Sequence, residues 1–391
     1  MNILCPEYIL WENGEIYSGY AVFVHDDGKI EKIRAIAKLP SKLRRQSVFL
    51  KGLMIPGMVN AHCHLELSWL KNKITEAQGM DEFFSKMKGV HTRRPADFEV
   101  LDSVNQSIAE MYENGINVCA DISNTGISYL PKENSKIQYH TFIEVFEKQG
   151  VSKAEILEKA THLLEKFNDS EKHTASISLH TLFTSTKTLM NEVMKMVHQG
   201  QMLQSIHFLE SREEVLFFTE GRSINSIHEK QKPEFSSNRP ADIAAEVLPG
   251  DRRVLFVHNT YASERDIIEI NQYFVDPWFC FCPVSNEFIT GDLPNLNDFI
   301  KHTENLVLGT DSYASNKEMN LFSEMQVLIN KFPNLDFGDL LKMATINGAR
   351  LLGIQKTYGS ISPGKKPGLI QIRDYTPERK NILFEDIRRL F

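Results

Sequence analysis

The sequence predicts an α/β protein, a (β/α)8 barrel of the TIM type joined to a small β-sandwich domain that both chain termini build. Eight short β-branched or aromatic runs alternate with longer amphipathic stretches, as repeated βα units do. The histidines and carboxylates of greatest chemical interest fall at the C-terminal ends of those runs, the end that carries the active site in such barrels. Short strands and turns make up both the beginning of the chain and its tail from 359 to 373, so the two ends are predicted to pair.

The predicted strands of the barrel are regularly spaced. They cover 58–64, 116–123, 137–145, 174–183, 203–211, 253–261, 278–286 and 305–312. Helical stretches such as 153–167 and 263–273 separate them. We therefore predict a composite β domain from 1–54 plus 355–391 and a barrel domain from 55–354. The long polar segment 212–250 is either a mobile flap over the site or an inert surface insertion.

Composition excludes several classes of protein. The chain has 391 residues and a formal net charge of −7 with both signs interspersed, so it lacks the basic stripe that nucleic-acid binding needs. No apolar run is long enough to span a bilayer, which predicts a soluble, cytoplasmic protein without a membrane partner. The partner that we predict is a small-molecule substrate, for the reasons given below. The cysteines are odd in number and mostly lie in strand-like runs, which favours reduced, buried thiols.

Two histidines end the first predicted strand. His62 and His64 are two residues apart, and a period of two turns both rings to the same side of a strand. Neutral imidazole nitrogens are good zinc ligands, and two from one strand end supply half of a tetrahedral site. Taken alone, the pair fits hydrogen-bonded core histidines equally well, but the further ligands below favour a metal site.

A third histidine and two carboxylates stand at later strand ends. Asp311 ends the eighth strand after an apolar run, where an uncompensated charge would be costly to bury. A divalent ion here would have four ligands, which are His62, His64, His207 and Asp311. It would keep an open position for water and raise the acidity of that water. Glu210, three residues after His207, is placed to reach that water. The pattern predicts a catalytic metal site.

Other polar residues at strand ends are predicted to line the pocket. His258 would hydrogen-bond the nucleophile or polarise the bond under attack, with a core histidine as the alternative. His180 would face the substrate. Ser285 and Asn286 are predicted at the rim, where they would donate to the substrate or brace Asp311. Two further carboxylates would line the pocket or cap loops: Asp121 and Glu144.

Five segments resemble, in the right order, the amidohydrolase superfamily. The similarity is greatest to its metal-dependent aminohydrolases, which include S-adenosylhomocysteine, guanine and aminofutalosine deaminases and triazine chlorohydrolases. The segments are PGMVNAHCHLEL at 56–67, HFLES at 207–211, FVHNTY at 256–261, CPVSNEFITGDLP at 282–294 and LGTDSYASN at 308–316. The resemblance covers almost the whole chain and implies the same barrel with a terminal β domain.

The resemblance also implies roles for individual residues. The three histidines and Asp311 would bind one zinc ion, or iron(II) as the alternative, because the fourth strand end has no lysine to bridge a second ion. Glu210 would shuttle protons and His258 would orient the attacking hydroxide. The implied reaction is attack of that hydroxide on an amidine-like ring carbon with loss of ammonia. The presence of Glu66 two residues after His64 resembles the aminofutalosine deaminases. Glu66 is predicted to contact the substrate.

The resulting prediction is a hydrolase of carbon–nitrogen bonds other than peptide bonds. It would deaminate a nitrogen heterocycle such as a purine base, a nucleoside or a related metabolite. The alternative among hydrolases is attack on a cyclic amide or on a carbon–halogen bond. A scaffold barrel without catalysis is a third hypothesis, which the complete ligand set disfavours. Dimers are common among relatives of this kind, but no sequence feature requires a homodimer here.

Overall fold

A computed structural model describes residues 1–200, 203–222, 224, 235–378, 384 and 386–391 of the chain. In these residues no helix combines the length and the apolarity needed to cross a bilayer. The strands are β1 Asn2–Leu10, β2 Ile16–Tyr17, β3 Tyr20–Val24, β4 Ile30–Ala35, β5 Val48–Pro56, β6 Met58–Cys63, β7 Ile116–Ser123, β8 Gln138–Val145, β9 Thr174–Leu179, β10 Gln204–Phe208, β11 Arg253–His258, β12 Asp276–Phe281, β13 Leu306–Leu308, β14 Leu369–Ile372 and β15 Ile387–Arg389.

The helices follow the strands in the order expected of βα units. They are α1 Ser41–Arg45, α2 Met80–His91, α3 Asp97–Glu113, α4 Tyr129–Glu133, α5 Lys153–Asn168, α6 Lys187–Gly200, α7 Arg212–Glu220, α8 Pro240–Val247, α9 Glu264–Tyr273, α10 Pro283–Thr290, α11 Leu296–His302, α12 Leu321–Lys331, α13 Phe337–Met343 and α14 Ile346–Leu351. Two 3-10 helices cover Ile36–Lys38 and Leu65–Leu70.

Strands β6 to β13 form the barrel that the sequence predicts. They lie in two four-stranded sheets with the orders β6-β7-β8-β9 and β10-β11-β12-β13, and β8 pairs with β9 in parallel, as β10 to β13 do in turn. Backbone hydrogen bonds join the sheets at both ends. The N–H of His207 donates to the carbonyl of His180 at 3.0 Å, and the N–H of Asp311 donates to the carbonyl of His62 at 3.1 Å. The strands therefore close on themselves, which confirms the barrel.

Burial on both faces explains the apolar sequence of the barrel strands. Every residue of β11 and β12 after the first is buried. In an antiparallel sheet with one face in water, buried and exposed residues would alternate along each strand. The cysteines, which the sequence predicts to be reduced, are all free and buried: Cys5, Cys63, Cys119, Cys280 and Cys282.

All eight predicted barrel strands are present, but several end earlier than predicted. The apolar runs in the sequence continue beyond the last residue that pairs with a neighbouring strand. The seventh differs most. It is predicted over 278–286, yet β12 ends at Phe281 and Pro283 begins α10. Proline suits a first helical position because its fixed φ is helical and its missing N–H would have no partner there. Ser285 and Asn286 therefore lie buried in α10, and their predicted position at the rim is wrong.

Both chain termini build one mixed sheet, as predicted for the small β domain. Its described strands number seven, in the order β15-β14-β5-β1-β3-β4 with β2 paired to β1. Strand β5 runs parallel to β1 and antiparallel to β14 from the tail. Alternate residues enter two apolar clusters, Leu4 and Val22 in one and Ile3 and Phe23 in the other, as the period of a strand requires. The strands of this domain form a single hydrogen-bonded sheet.

The chain divides into two compact units. One comprises Met1–Asn60, Ala109–Cys119 and Asn320–Phe391, and the other comprises Ala61–Ile108 and Ala120–Met319. Every predicted site residue belongs to the second unit. The predicted domain limits, 1–54 with 355–391 and 55–354, stay a prediction. The segment 212–250, predicted as a flap or an insertion, lies partly outside the described residues, and its described part includes α7 and α8.

Candidate metal centre and active site

Four side chains from three strand ends meet at one point. His62 belongs to β6 and His64 follows it, His207 belongs to β10, and Asp311 follows β13. The Nε2 atom of His64 lies 3.1 Å from Nε2 of His62 and 3.3 Å from Nε2 of His207. The Oδ1 atom of Asp311 lies 3.6 Å from Nε2 of His62 and 3.5 Å from Nε2 of His64. The structure thus brings all four predicted metal ligands together.

The spacing of these atoms fits a tetrahedral metal site. Ligand atoms about 2.1 Å from a common ion lie about 3.4 Å from one another at tetrahedral angles. Burial, followed by the neighbouring imidazoles, lowers the pKa of His64 to about 3 and that of His207 well below its usual range. Neutral imidazole is the form that binds metals. Burial opposes ionisation of Asp311, but the hydrogen bond with His62 and the adjacent imidazoles hold its pKa well below the usual range.

The backbone is sharply bent where it delivers these side chains. Leu209, His258 and Asp311 have φ angles of 48°, 72° and 54°, in a region that residues other than glycine rarely adopt and that recurs at functional sites. Gly309 permits the close approach of β13 to β6, since a Cβ at this position would lie 2.7 to 2.9 Å from atoms of His62. A larger residue at 309 would push Asp311 away from the histidines.

Two buried serines hold the second carboxylate oxygen of Asp311. The Oγ atoms of Ser285 and Ser315 lie 2.7 and 2.6 Å from Oδ2 of Asp311, and 2.8 Å from each other. Of the two roles predicted for Ser285, the structure shows the one that braces Asp311. Sequence analysis does not single out Ser315. Its position four residues after a ligand carboxylate, inside LGTDSYASN, is the signal that could have found it.

His258 joins the cluster from β11 in a defined orientation. Its Nδ1 atom donates to Oδ1 of Asn286 at 2.9 Å, so the neutral ring carries its hydrogen there and has a lone pair on Nε2. That Nε2 atom lies 3.5 Å from Oε1 of Glu210. Burial lowers the pKa of His258, which favours the neutral ring. Asn286, predicted to bind substrate, thus orients His258, and its contact with a substrate stays a prediction.

Glu210 lies in the loop between β10 and α7 and lines the same cavity as His64, His207 and Asp311. Its side chain is 14% exposed. Burial, followed by the charges of Asp311 and Glu213, raises the pKa of this carboxyl well above its usual range. A carboxyl that keeps its proton near neutral pH can act as a general acid. The position and the pKa of Glu210 suit the proton transfer that the sequence predicts.

Glu214 fixes the loop that carries Glu210. It is buried in the first turn of α7, and its carboxylate accepts the backbone N–H of Glu210 at 2.9 Å. The hydroxyl of Ser211 caps the same helix by accepting the N–H of Glu214 at 3.2 Å. Burial raises the pKa of Glu214 from 4.5 to about 8. Glu214 is therefore a buried acid that takes up or releases its proton near neutral pH.

Replacing Glu214 with Gln should change the pH dependence of stability. Because the pKa of this carboxyl is raised in the folded state, its contribution to stability is complete below the unfolded pKa and is lost as the pH rises toward 8. Between pH 5 and 8 the wild type should lose about 3 kcal/mol more of its free energy of unfolding than Glu214→Gln does. Urea unfolding at both pH values measures the difference, and equal losses in the two proteins would contradict it.

Glu66 is predicted to contact the substrate, but its carboxylate is occupied by the loop at 123–128. Oε1 accepts from Oγ of Ser123 at 2.7 Å and from the N–H of Gly126 at 2.8 Å. Oε2 accepts the N–H groups of Asn124 and Thr125 at 2.9 and 2.8 Å. The hydroxyl of Ser128 also donates to Oε1, at 3.4 Å, so donors from the loop fill the acceptor sites of the carboxylate. Glu66 therefore braces this loop, and its contact with a substrate stays a prediction.

The variant Glu66→Gln separates these two roles. The side-chain amide of Gln at this position would direct its N–H hydrogens toward backbone N–H groups that need an acceptor. If Glu66 braces the loop, the variant should therefore lose about 3 kcal/mol in the free energy of unfolding. Urea unfolding measures this loss, with Glu76→Gln as the control because the side chain of Glu76 is 70% exposed. Unchanged stability together with a raised KM would instead indicate that Glu66 contacts the substrate.

The remaining strand-end residues differ in their surroundings. His180 lines the cavity, with its ring 5.0 Å from that of His207. Asp121 is fully buried and forms an ion pair with Lys132 at 2.5 Å, with neither side chain exposed. That pair accounts for Asp121 as a structural residue. Glu144 lines the cavity near His180.

A cavity of about 570 Å³ opens beside the metal ligands. Its volume falls within the range of about 300–1,000 Å³ that is typical of pockets for drug-sized ligands. The lining includes the polar side chains of Glu210, His258 and Asp311. Much of the rest of the lining is apolar and includes Trp69, Phe83, Phe84, Met87, Ile156 and Leu163. The candidate site thus combines the polar side chains of the metal centre with a largely apolar lining.

Comparison with known proteins decides the family. The model of the amidohydrolase family matches residues 53–387, which is most of the chain. The chain belongs to the amidohydrolase family. This amidohydrolase is 26% identical over 380 residues to the aminodeoxyfutalosine deaminase of a Nitratiruptor species, and the match covers 93% of this chain and 89% of that relative.

Two solved structures share the fold of this amidohydrolase. Helicobacter pylori aminofutalosine deaminase in complex with methylthio-coformycin superposes with a TM-score of 0.84 at 21% identity, covering 100% of this chain and 98% of that one. An adenosine deaminase from Xanthomonas campestris with bound zinc superposes with a TM-score of 0.79 at 20% identity, covering 98% and 88%.

These findings confirm the predicted family and the class of enzyme. The protein is a hydrolase that acts on carbon–nitrogen bonds other than peptide bonds, consistent with a metal-dependent aminohydrolase. Its barrel places His, Asp and Glu side chains where they could hold a metal ion. The roles of individual residues stay predictions.

Proposed function

We propose that this amidohydrolase binds one divalent metal ion, zinc in the first place and iron(II) as the alternative, and deaminates a purine nucleoside or a related heterocycle. The observation that carries the proposal is the meeting of four ligand side chains next to a cavity that Glu210 also lines. Similarity to an aminodeoxyfutalosine deaminase supports the reaction, and the shared fold of a zinc-containing adenosine deaminase supports the metal. The ligands would be His62, His64, His207 and Asp311.

In the proposed reaction, Asp311 and Glu210 transfer the protons. A divalent ion in the site supplies Lewis acidity that makes a neighbouring water a better nucleophile. Asp311, which stays ionised, accepts a proton from that water. Glu210, whose raised pKa favours the protonated form, donates its proton to the substrate ring nitrogen beside the carbon under attack. His258 holds the nucleophile through Nε2, and the amino group leaves as ammonia with the proton that Asp311 accepted. The hydrogen that remains on the added oxygen passes to Glu210 as the ring carbonyl forms, which restores the acid.

The shape of the cavity favours a substrate larger than a free base. The lining has a larger apolar share than a purine base would need, and it includes Trp69, Phe83 and Phe84. Contact with such side chains would contribute about 25 cal/mol for each Å² of apolar surface buried. A nucleoside with an apolar substituent would use both the polar and the apolar residues of the lining.

The test is an assay of ammonia release with purified protein of known metal content. The panel contains purine bases, purine nucleosides with and without apolar substituents, pterins, triazines and futalosine-type compounds. We expect ammonia from nucleosides, with a higher kcat/KM for those that carry an apolar substituent. Halide or carboxylate release without ammonia would replace the proposal with the chlorohydrolase or cyclic-amide alternative. A folded, metal-loaded protein that hydrolyses none of these compounds would contradict the proposal.

A further inference from the structure

We infer that Glu144 is a positioning residue of the metal centre, whose carboxylate fixes the ring of His207 from the side opposite the metal. The inference rests on the proposed metal site. It gives a role to a strand-end carboxylate for which the sequence offers only pocket lining or loop capping.

The two nitrogens of His207 face different partners. Its Nε2 atom lies among the other ligand nitrogens, 3.3 Å from Nε2 of His64. Its Nδ1 atom donates to the carbonyl of His180 at 3.0 Å and lies 3.6 Å from Oε1 of Glu144. The hydrogen on Nδ1 leaves the lone pair on Nε2, which is the form that binds a metal. Glu144 thus lies beside the N–H edge of a ligand ring.

The carboxylate of Glu144 has one oxygen engaged and one oxygen available for His207. Its side chain is only 5% exposed. Oε2 accepts from Nδ2 of Asn124 at 3.0 Å. Among the residues that the structure describes, no group hydrogen-bonds Oε1, although that atom is buried. A buried carboxylate oxygen without a partner is costly, so attraction to the N–H of His207 is the compensation that the geometry offers.

Metal binding would strengthen this contact. An ion on Nε2 draws electron density from the ring and makes the N–H on Nδ1 a stronger donor to a carboxylate. Carboxylates behind ligand histidines raise the basicity of the ligand and fix its orientation, and their loss usually weakens metal binding or activity by about 10–100-fold. Glu144 should therefore favour the metal-bound state over the metal-free state.

A chain of hydrogen bonds connects Glu144 to the first motif. The carboxylate of Glu66 accepts the backbone N–H of Asn124 at 2.9 Å, and the side-chain amide of Asn124 donates to Glu144 at 3.0 Å. Glu66 therefore holds the loop that presents Asn124, and Asn124 holds Glu144 beside His207. Glu66 thus acts on the metal centre indirectly, through this loop.

The test measures zinc affinity without any substrate. Metal-free wild type and Glu144→Gln are titrated with zinc in competition with a chromophoric chelator. The control is Glu147→Gln, which replaces a carboxylate three residues further along that hydrogen-bonds Thr186 instead of a ligand. We expect Glu144→Gln to bind zinc about 10–100-fold more weakly than wild type and Glu147→Gln to match wild type. Circular dichroism and thermal unfolding of each metal-free protein establish that it is folded.

A second variant keeps the test decisive if Glu144→Gln does not fold. Asn124→Ala leaves the carboxylate in place but removes the donor that holds it, so it should weaken zinc binding in the same direction by a smaller factor. Wild-type affinity in both folded variants would overturn the inference, as would an equal loss in Glu147→Gln. Failure of the wild type to bind any metal would overturn both this inference and the proposed function. A weakened zinc affinity in an enzyme that releases no ammonia would sustain the inference and contradict only the proposed function.

Discussion

Replacing Glu210 with Gln should lower the rate of deamination by about a thousandfold while the metal content stays near that of the wild type. The amide has nearly the shape of the acid but cannot donate a proton to the ring nitrogen. Glu210 is not among the proposed metal ligands, and its Oε1 atom lies 3.5 Å from Nε2 of His258. The measurement is kcat for ammonia release, together with metal analysis of the same preparation.

The matched control for this experiment is Glu220→Gln. Glu220 lies at the far end of α7, and its side chain is 49% exposed in an ion pair with Arg222. Its replacement should leave kcat unchanged. A Glu210→Gln protein that retains more than about a tenth of the wild-type kcat would show that another group transfers the proton, because general acid–base catalysis contributes at least about a hundredfold.

Replacing His62 with Ala should remove metal binding and catalysis together. His62 is fully buried, and its Nε2 atom lies within 3.6 Å of both His64 Nε2 and Asp311 Oδ1. Without the ion, the pKa of the attacking water would stay far above neutral instead of being lowered by the metal, so activity should fall by at least about a thousandfold. The protein should also lose the stabilisation that metal binding provides, about 4 kcal/mol at a metal concentration a thousand times the Kd.

Thermal unfolding with and without added zinc measures this effect. The wild type should gain in melting temperature when zinc is added, and His62→Ala should not. His198→Ala is the control, because His198 is exposed on α6 and lies outside the cavity. If His62→Ala kept both its metal and its activity, the ligand set proposed here would be wrong.

The meeting of the four proposed ligands could be predicted from sequence because the position of each follows from a local rule. His62 and His64 share a face through the period of a strand, and His207 and Asp311 stand where apolar runs end. Closure of the barrel then brings strand ends that are far apart in the chain to one place. The same logic predicted all eight barrel strands and the small β domain built from both termini.

Apart from the bracing of Asp311 by Ser285, the contacts of the supporting residues could not be predicted, because strand periodicity does not encode them. Glu66 follows the ligand motif directly, yet its partners come from a loop 57 to 60 residues further along. Asn286 faces His258 only because Pro283 begins a helix where an apolar run suggested more strand. The role of Glu144 depends on which edge of His207 faces the metal, and sequence does not determine that orientation.

The most direct test of the central claim is a stoichiometric metal titration of the metal-free enzyme, followed by the rate of ammonia release from a purine nucleoside. We predict that activity is absent without metal, rises in proportion to added zinc or iron(II), and stops rising at one equivalent per chain. Activity in the metal-free protein, or a rise that continues to two equivalents, would contradict an aminohydrolase built on one metal ion held by His62, His64, His207 and Asp311.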